Sequence, residues 1–276
     1  MAENPVHFIA YDLLEHHGRD FSLQLDYGNF LVGRGELEKA RGVLERLTTI
    51  RPERVEAWNN LGIVCLRLED HEAAGKAFRK VLEIEPDNAG ALLNLGNYHE
   101  AKGSIDRALV MFEKAAEARP DFADAWFNLG NARLAMGEYR KAADAYRRSL
   151  RYHPEFASAH KNLGYCFQCE GDLDEAERNY RKALELNKAD SGIHVNLGNL
   201  YAARDRYDVA KGHYLRAVRL SPLSGTAWMG LRKLALLKGD VDTYTRATLV
   251  MLARLDEKEI ASTVGTLREL GLHEKV

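Results

Sequence analysis

The chain contains 276 residues, of which 46% are hydrophobic and 29% are charged, the composition of an ordinary globular protein. Its 39 lysine and arginine residues nearly balance 41 aspartate and glutamate residues, so the formal net charge of -2 provides no basic field for nucleic acid and no polybasic signal for a membrane surface. No stretch reaches the ~18 apolar residues of a membrane span, and three cysteines are too few for a disulfide framework, so we expect a soluble, cytoplasmic chain with reduced thiols.

One pattern returns every 34 residues along most of the chain. The dipeptide Leu-Gly recurs at Leu61-Gly62, Leu95-Gly96, Leu129-Gly130, Leu163-Gly164 and Leu197-Gly198. The same step separates the alanines Ala74, Ala108, Ala142, Ala176 and Ala210 and the aromatic residues Phe78, Phe112, Tyr146, Tyr180 and Tyr214. Prolines close the units at Pro52, Pro86, Pro120, Pro154 and Pro222. Apolar residues at helical spacing, with an interior break near Gly103, Gly137, Gly171 or Gly239, predict two short antiparallel helices in each unit.

In chain order, the first predicted element is a capping helix in residues 1–20, where Tyr11 and Leu14 continue the pattern backwards. Seven units follow in residues 21–258, namely 21–54, 55–88, 89–122, 123–156, 157–190, 191–224 and a degenerate unit at 225–258. Residues 259–276 carry an apolar stripe of Ile260, Val264 and Leu267, which predicts a C-terminal capping helix. The pattern departs at Lys188, where proline is expected, and at Arg232, where glycine is expected.

With Trp58, Trp126 and Trp228 in its first position, the pattern resembles the tetratricopeptide repeat (TPR) family over almost the whole chain. The resemblance implies an all-α fold, a right-handed α-solenoid superhelix of helix-turn-helix repeats. It also implies that the first helices of the repeats face a concave groove in which ligands lie. One helix pair cannot bury its apolar face alone, so stacked neighbours must share one core.

Asparagines are concentrated at two positions of these first helices, each of which recurs once in every repeat, and we call such a recurring position a column. The two columns hold nine of the fourteen asparagines in the chain. One column contains Asn60, Asn94, Asn128, Asn162 and Asn196, and the other contains Asn29, Asn97, Asn131 and Asn199. The arrangement is similar to the asparagine ladder of O-linked N-acetylglucosamine transferase superhelices. An amide donates and accepts, so such a ladder suits the backbone of an extended peptide. The alternative is that the amides hydrogen-bond neighbouring helices and stabilise the stack.

A third, largely apolar column adds candidate pockets for the apolar anchors of an extended or helical peptide. It consists of Leu25, Asn59, Leu93, Phe127, Lys161, Val195 and Met229. The predicted peptide-binding set is Asn60, Asn94, Asn97, Asn128, Asn131, Asn162, Asn196, Asn199, Leu93, Phe127, Lys161 and Val195. The carboxylate clamp of chaperone adaptors is incomplete, because Ser158, Gly192, Thr226 and Gly230 occupy its columns near Lys161. We therefore expect a ligand with apolar side chains rather than a free acidic C-terminus.

No motif predicts catalysis, a cofactor or a metal. His71-Glu72 and His99-Glu100 lack the second histidine of a zinc-protease motif, and Cys166 and Cys169 form a CxxC without a second pair. The leading hypothesis is thus a non-catalytic scaffold or adaptor that binds a protein or peptide, without affinity for nucleic acid or membrane. A self-assembling scaffold, or the substrate-binding subunit of a glycosyltransferase-like enzyme, remains open.

Overall fold

A computed structural model describes residues 21–252, in which fourteen helices and no strand are formed. The all-α helical-repeat fold expected from the sequence is confirmed. The helices are α1 (Phe21–Gly33), α2 (Leu37–Ile50), α3 (Val55–Arg67), α4 (His71–Ile84), α5 (Ala89–Ala101), α6 (Ile105–Ala118), α7 (Ala123–Ala135), α8 (Tyr139–Tyr152), α9 (Ala157–Cys169), α10 (Leu173–Leu186), α11 (Ser191–Ala203), α12 (Tyr207–Leu220), α13 (Gly225–Lys238) and α14 (Val241–Leu252). Both predicted capping helices lie outside the described residues.

The chain divides into two compact units between Ala132 and Arg133. The first unit contains the helix pairs α1/α2, α3/α4 and α5/α6, and the second contains α8 and the pairs α9/α10, α11/α12 and α13/α14. Helix α7 runs across the division. Within each unit, successive helices pack on one another and bury their alanine and aromatic positions.

Local chemistry explains where the helices begin and turn. The side chains of Asp70 and Asp172 accept hydrogen bonds from the backbone N–H three residues on, at 3.0 and 3.1 Å, and so start the second helix of their pairs. The turn inside a pair needs one left-handed residue. Glycine supplies it at Gly35, Gly103, Gly137, Gly171 and Gly239, with φ between 66° and 86°. Glu69 and Asp205 adopt the same conformation without the freedom of glycine.

The Leu-Gly column exists because an aromatic ring occupies the space that a larger residue would need. A Cβ atom added at Gly96 would lie 2.4 Å from the Phe112 ring, and one added at Gly198 would lie 2.5 Å from the Tyr214 ring. In the last repeat, Arg232 replaces this glycine and Thr248 stands at the aromatic position, yet the helix pair α13/α14 forms. A different glycine, Gly230, faces the Tyr214 ring of the preceding repeat, and a Cβ atom added there would lie 2.4 Å from that ring.

The tryptophan column is fixed by a hydrogen bond that links the start of a unit to the proline before it. Trp58 Nε1 donates to the Pro52 carbonyl at 2.9 Å, and Trp126 and Trp228 make the same bond to the proline six residues earlier. His160, which stands at this position in the fifth unit, places Nε2 2.9 Å from the Pro154 carbonyl oxygen. In these four units, a ring nitrogen at this place ties the first helix to the preceding turn.

Candidate functional site

The first helices of the pairs carry both asparagine columns on one surface, which we call the A face of each unit. The A face of the first unit is formed by α1, α3, α5 and the part of α7 up to Ala132. That of the second unit is formed by α9, α11 and α13. Eight of the nine column asparagines lie on α3, α5, α7, α9 and α11, and Asn29 lies on α1.

Two pairs of asparagines in the first unit bond across neighbouring first helices. Asn60 Nδ2 donates to Asn29 Oδ1 at 2.8 Å, and Asn128 Nδ2 donates to Asn97 Oδ1 at 2.9 Å. In each bond, the acceptor belongs to the column that begins with Asn29. The donor belongs to the column that begins with Asn60 and stands 31 residues further along, in the next repeat. These four amides are thus partly used in holding successive repeats in register.

Two asparagines of the second unit bond instead to the aromatic column. Asn162 Nδ2 donates to the Tyr146 hydroxyl at 3.3 Å, and Asn199 Oδ1 accepts from the Tyr214 hydroxyl at 2.7 Å. Burial raises the pKa of Tyr214 to about 12, so this hydroxyl keeps its proton and remains a donor. Asn199 is exposed and retains its amide hydrogens for other acceptors. Asn131, on α7, is half-buried.

Asn94 and Asn196 differ from the other members of their column. Both are half-buried on the A face, and neither side-chain amide bonds to another part of the chain within the described residues. The cause is visible in the preceding repeat, where Ile63 and Tyr165 stand at the place that an asparagine occupies in the bonded pairs. These two amides are available to a ligand.

The apolar column is largely covered by the repeats themselves. Leu93 and Val195 are 9% and 7% exposed, which leaves little surface for a ligand, and Phe127 is half-buried. Lys161 donates to Asp190 Oδ2 at 3.0 Å, and the other carboxylate oxygen of Asp190 accepts from the first N–H groups of α11. The groove cation predicted at Lys161 is therefore engaged in the junction of two repeats. Met229, in the same column, is 53% exposed.

The A face of the second unit contains a cleft of about 710 Å³ between α11 and α13. Its walls include Val195, Met229 and Leu237, with Asn196 and Lys233 as polar groups. Sequence reasoning did not predict this cleft. The sequence carries a signal for it in Gly192 and Thr226, where small side chains leave space between the two helices.

The other sequence candidates do not form a chemical site. Cys166 is buried, and burial raises the pKa of its thiol to about 12, whereas Cys169 is exposed. Within residues 21–252, no group of three or more histidine, cysteine, aspartate or glutamate side chains is placed to hold a metal ion. None of the helices in that range is long and apolar enough to cross a bilayer.

Two family models match the chain over adjoining regions. The model described as Tetratricopeptide repeat matches residues 127–192, 167–224 and 195–243. The model of the Cilia and flagella-associated protein 70 middle TPR-like domain matches residues 44–130. No curated protein matches the chain in sequence.

Solved structures share the fold. A chain of the APC/C hetero-tetramer Cut9-Hcn1 superposes with a TM-score of 0.67 at 18% identity, with 84% of this chain and 46% of that chain covered. Pseudomonas aeruginosa pilF superposes with a TM-score of 0.66 at 21% identity, over 75% of this chain and 94% of that chain. YrrB, described as a TPR protein with an unusual peptide-binding site, gives a TM-score of 0.59 at 23% identity, over 67% of this chain and 95% of that chain.

At these identities the neighbours establish the fold alone, and this chain spans less than half of the Cut9-Hcn1 chain that it resembles. The family models, the 34-residue step and the helix pairs built around a glycine and an aromatic ring agree with one another. The chain belongs to the tetratricopeptide repeat family.

Proposed function

We propose that this protein is a non-catalytic, cytoplasmic scaffold that holds a peptide segment of a partner against the A face of one of its units. Proteins built from tetratricopeptide repeats are generally protein–protein interaction scaffolds. The observation that carries the proposal is the pair of half-buried amides, Asn94 and Asn196, which bond to nothing else in residues 21–252. Asparagine inside a helix costs up to ~0.7 kcal/mol relative to alanine, so an amide without a structural partner needs another use.

The two alternatives for the asparagine columns apply to different members. Asn60, Asn128 and their partners support the structural alternative, because each pair is closed by a hydrogen bond between repeats. Asn94 and Asn196 support the ligand alternative, since their donors and acceptors are free to meet a peptide backbone. YrrB, described as a TPR protein with an unusual peptide-binding site, supports this use of the fold.

The test begins with an array of immobilised random peptides of about twelve residues, long enough to reach about 40 Å when extended. The peptide that binds most tightly is then fluorescein-labelled and titrated with the intact protein and with the variants Asn94→Ala, Asn196→Ala and Lys114→Ala. Lys114 is an exposed residue of the second helix α6 and serves as the control. We expect the asparagine variant of the unit that holds the peptide to bind about 2- to 10-fold more weakly, the effect of one hydrogen bond, and Lys114→Ala to bind like the intact protein.

If no peptide binds, or if both asparagine variants bind as tightly as the control, the peptide-binding proposal is wrong. Thermal unfolding of each variant separates loss of binding from loss of folding. Because neither Asn94 nor Asn196 bonds to a neighbouring repeat within the described chain, their alanine variants are expected to unfold no earlier than the intact protein.

Self-association is a second candidate, because large apolar side chains are exposed near the end of the described chain. Leu223, Leu236 and Leu237 are 68%, 55% and 62% exposed. Exposed apolar surface of this kind is typical of protein interfaces. Light scattering over a wide concentration range tests the candidate: a mass that stays at the 31.1 kDa of one chain excludes it, and a mass that rises supports it.

A further inference from the structure

The cleft between α11 and α13 has features that peptide-backbone binding by Asn196 does not use. Met229 and Leu237 are 53% and 62% exposed at its walls, and Lys233 lies on the same helix as both. A cleft of about 710 Å³ is within the size range of pockets that bind small ligands or single large side chains. It can therefore accept a side chain of a bound peptide as well as its backbone.

Packing explains why the cleft is open. Gly192 and Thr226 stand where larger residues would fill the space between the two first helices. Gly230, on the same wall, cannot be enlarged, because a Cβ atom there would lie 2.4 Å from the Tyr214 ring. That ring also lies 2.5 Å from the Cβ position of Gly198, so Tyr214 holds α11 and α13 apart at a fixed distance.

Charge distinguishes the cleft from a purely apolar pocket. Lys233 is the one charged residue among its lining residues. It forms no ion pair with any residue in the range 21–252, in contrast to Lys161 and Lys211, which pair with Asp190 and Asp240.

Within the described chain, the charged groups beside the cleft form no ion pair with Lys233. Lys238 Nζ lies 5.0 Å from the centre of the Tyr207 ring, which lines the cleft. Asp205 Oδ1 accepts from the Tyr207 hydroxyl at 2.5 Å. An ammonium group beside exposed apolar walls favours an anionic group attached to an apolar one.

We propose that this cleft binds an apolar side chain of a peptide whose neighbouring residue is acidic, with the apolar group against Met229 and Leu237 and the carboxylate at Lys233 Nζ. The proposal rests on peptide binding by the A face and adds a sequence preference to it. The acidic residue is an internal aspartate or glutamate, because Thr226 and Gly230 occupy positions where a clamp for a terminal carboxylate has its cations.

The test uses the full chain labelled with ¹³C at its methionine methyl groups. The protein has five methionines, and the Met229 signal is assigned by its loss in Met229→Leu. Two ligands of the same shape are titrated at low salt, acetyl-Phe-Asp-amide and acetyl-Phe-Asn-amide, with the intact protein, Lys233→Gln and Arg232→Gln. Arg232 lies on the same helix but does not line the cleft, so its variant is a control with the same loss of charge.

We expect both ligands to shift the Met229 signal, and the aspartate ligand to bind the intact protein about two- to fivefold more tightly, the strength of an exposed ion pair. The preference should vanish in Lys233→Gln, persist in Arg232→Gln and weaken when salt is added. An unshifted Met229 signal, equal binding of both ligands, or a preference that survives in Lys233→Gln overturns the proposal.

Failure here is distinguishable from failure of peptide binding in general. If long peptides bind in a manner that depends on Asn94 while Met229 responds to neither dipeptide, the A face binds peptides and the cleft does not select them. If the dipeptides behave as expected while no long peptide binds, the cleft is a ligand site and the wider peptide-binding function is wrong.

Discussion

Replacing Asn97 and Asn128 with alanine, singly and together, should reveal a coupling between neighbouring repeats of about 0.5–1.5 kcal/mol, the net contribution of one hydrogen bond. The bond from Asn128 Nδ2 to Asn97 Oδ1 is 2.9 Å long and partly buried. Each substitution also gains up to ~0.7 kcal/mol of helix propensity. A single variant should therefore lose well under 1 kcal/mol, and only the double-mutant cycle isolates the bond.

Asn94→Ala is the matched control, because Asn94 lies on α5 with Asn97 and has no side-chain bond in the described chain. It should gain the same helix propensity without losing a bond, and so raise the free energy of unfolding by ~0.5 kcal/mol. Asn128→Ala should therefore be less stable than Asn94→Ala by about 0.5–1.5 kcal/mol, and this difference distinguishes an amide that bonds a neighbouring repeat from one that does not.

The assay is urea unfolding followed by both circular dichroism and tryptophan fluorescence, since a repeat array can unfold in more than one step. If circular dichroism and tryptophan fluorescence report the same transition, unfolding is two-state and the coupling free energy can be calculated from the cycle. A coupling indistinguishable from zero would refute the structural role of this pair. Destabilisation by Asn94→Ala equal to that by Asn128→Ala would refute the separation of the column into two kinds of asparagine.

Three further predictions concern packing, backbone conformation and pH. Gly96→Ala should lower the free energy of unfolding by about 1–2 kcal/mol, because its Cβ atom would lie 2.4 Å from the Phe112 ring. Glu69→Gly should raise it by about 0.5–1 kcal/mol, because Glu69 has a left-handed φ of 62°. Lowering the pH from about 7 to about 5 should destabilise the second unit, since burial lowers the pKa of His194 and His213, whose Nδ1 atoms lie 3.1 Å apart. Urea midpoints measure the first two effects, and urea midpoints across this pH range measure the third.

Each of these predictions has a control in the same chain. Gly42→Ala, on α2, places a Cβ atom with nothing within 4 Å and should stabilise by about 0.5–1 kcal/mol through helix propensity, so equal destabilisation at Gly42 and Gly96 would contradict the packing argument. Gly103→Ala, at φ 72°, reverses the Glu69 substitution and should destabilise.

The sign of the pH effect follows from proton uptake. The folded histidines have pKa values below the ordinary histidine value of about 6.5, so the unfolded chain binds more protons as the pH falls through that value, and stability is lost. Replacement of both histidines with glutamine should remove this part of the pH dependence. An unchanged slope in the double variant would show that other groups cause it.

Local and periodic features of the chain were predictable because each depends on residues close in sequence. The Leu-Gly step fixed the repeat, and the central glycines marked the left-handed turns at Gly103, Gly137, Gly171 and Gly239. Glu69 and Asp205 adopt that conformation without a glycine, because the helices on both sides determine the turn. The family models match this periodic part of the chain, from residue 44 to residue 243.

The candidate site was predictable as a set of columns but not as a set of contacts. Sequence placed Asn94 and Asn97 on one helix and could not say which of them bonds another repeat. Asn97 is paired because Asn128 stands opposite it, whereas the place opposite Asn94 in the preceding repeat is Ile63. The substitution at Ile63 is a signal that sequence reasoning could have used.

The sequence by itself determined the repeat, the helix pairs and the face on which the asparagines lie, because helical periodicity and small-to-aromatic packing act over a single 34-residue unit. Only the tertiary structure decided which amides hydrogen-bond to neighbouring repeats, how Lys161 is paired with Asp190, and that α11 and α13 leave a cleft beside Lys233. These properties depend on distances between side chains of different repeats, which no pattern within one repeat specifies.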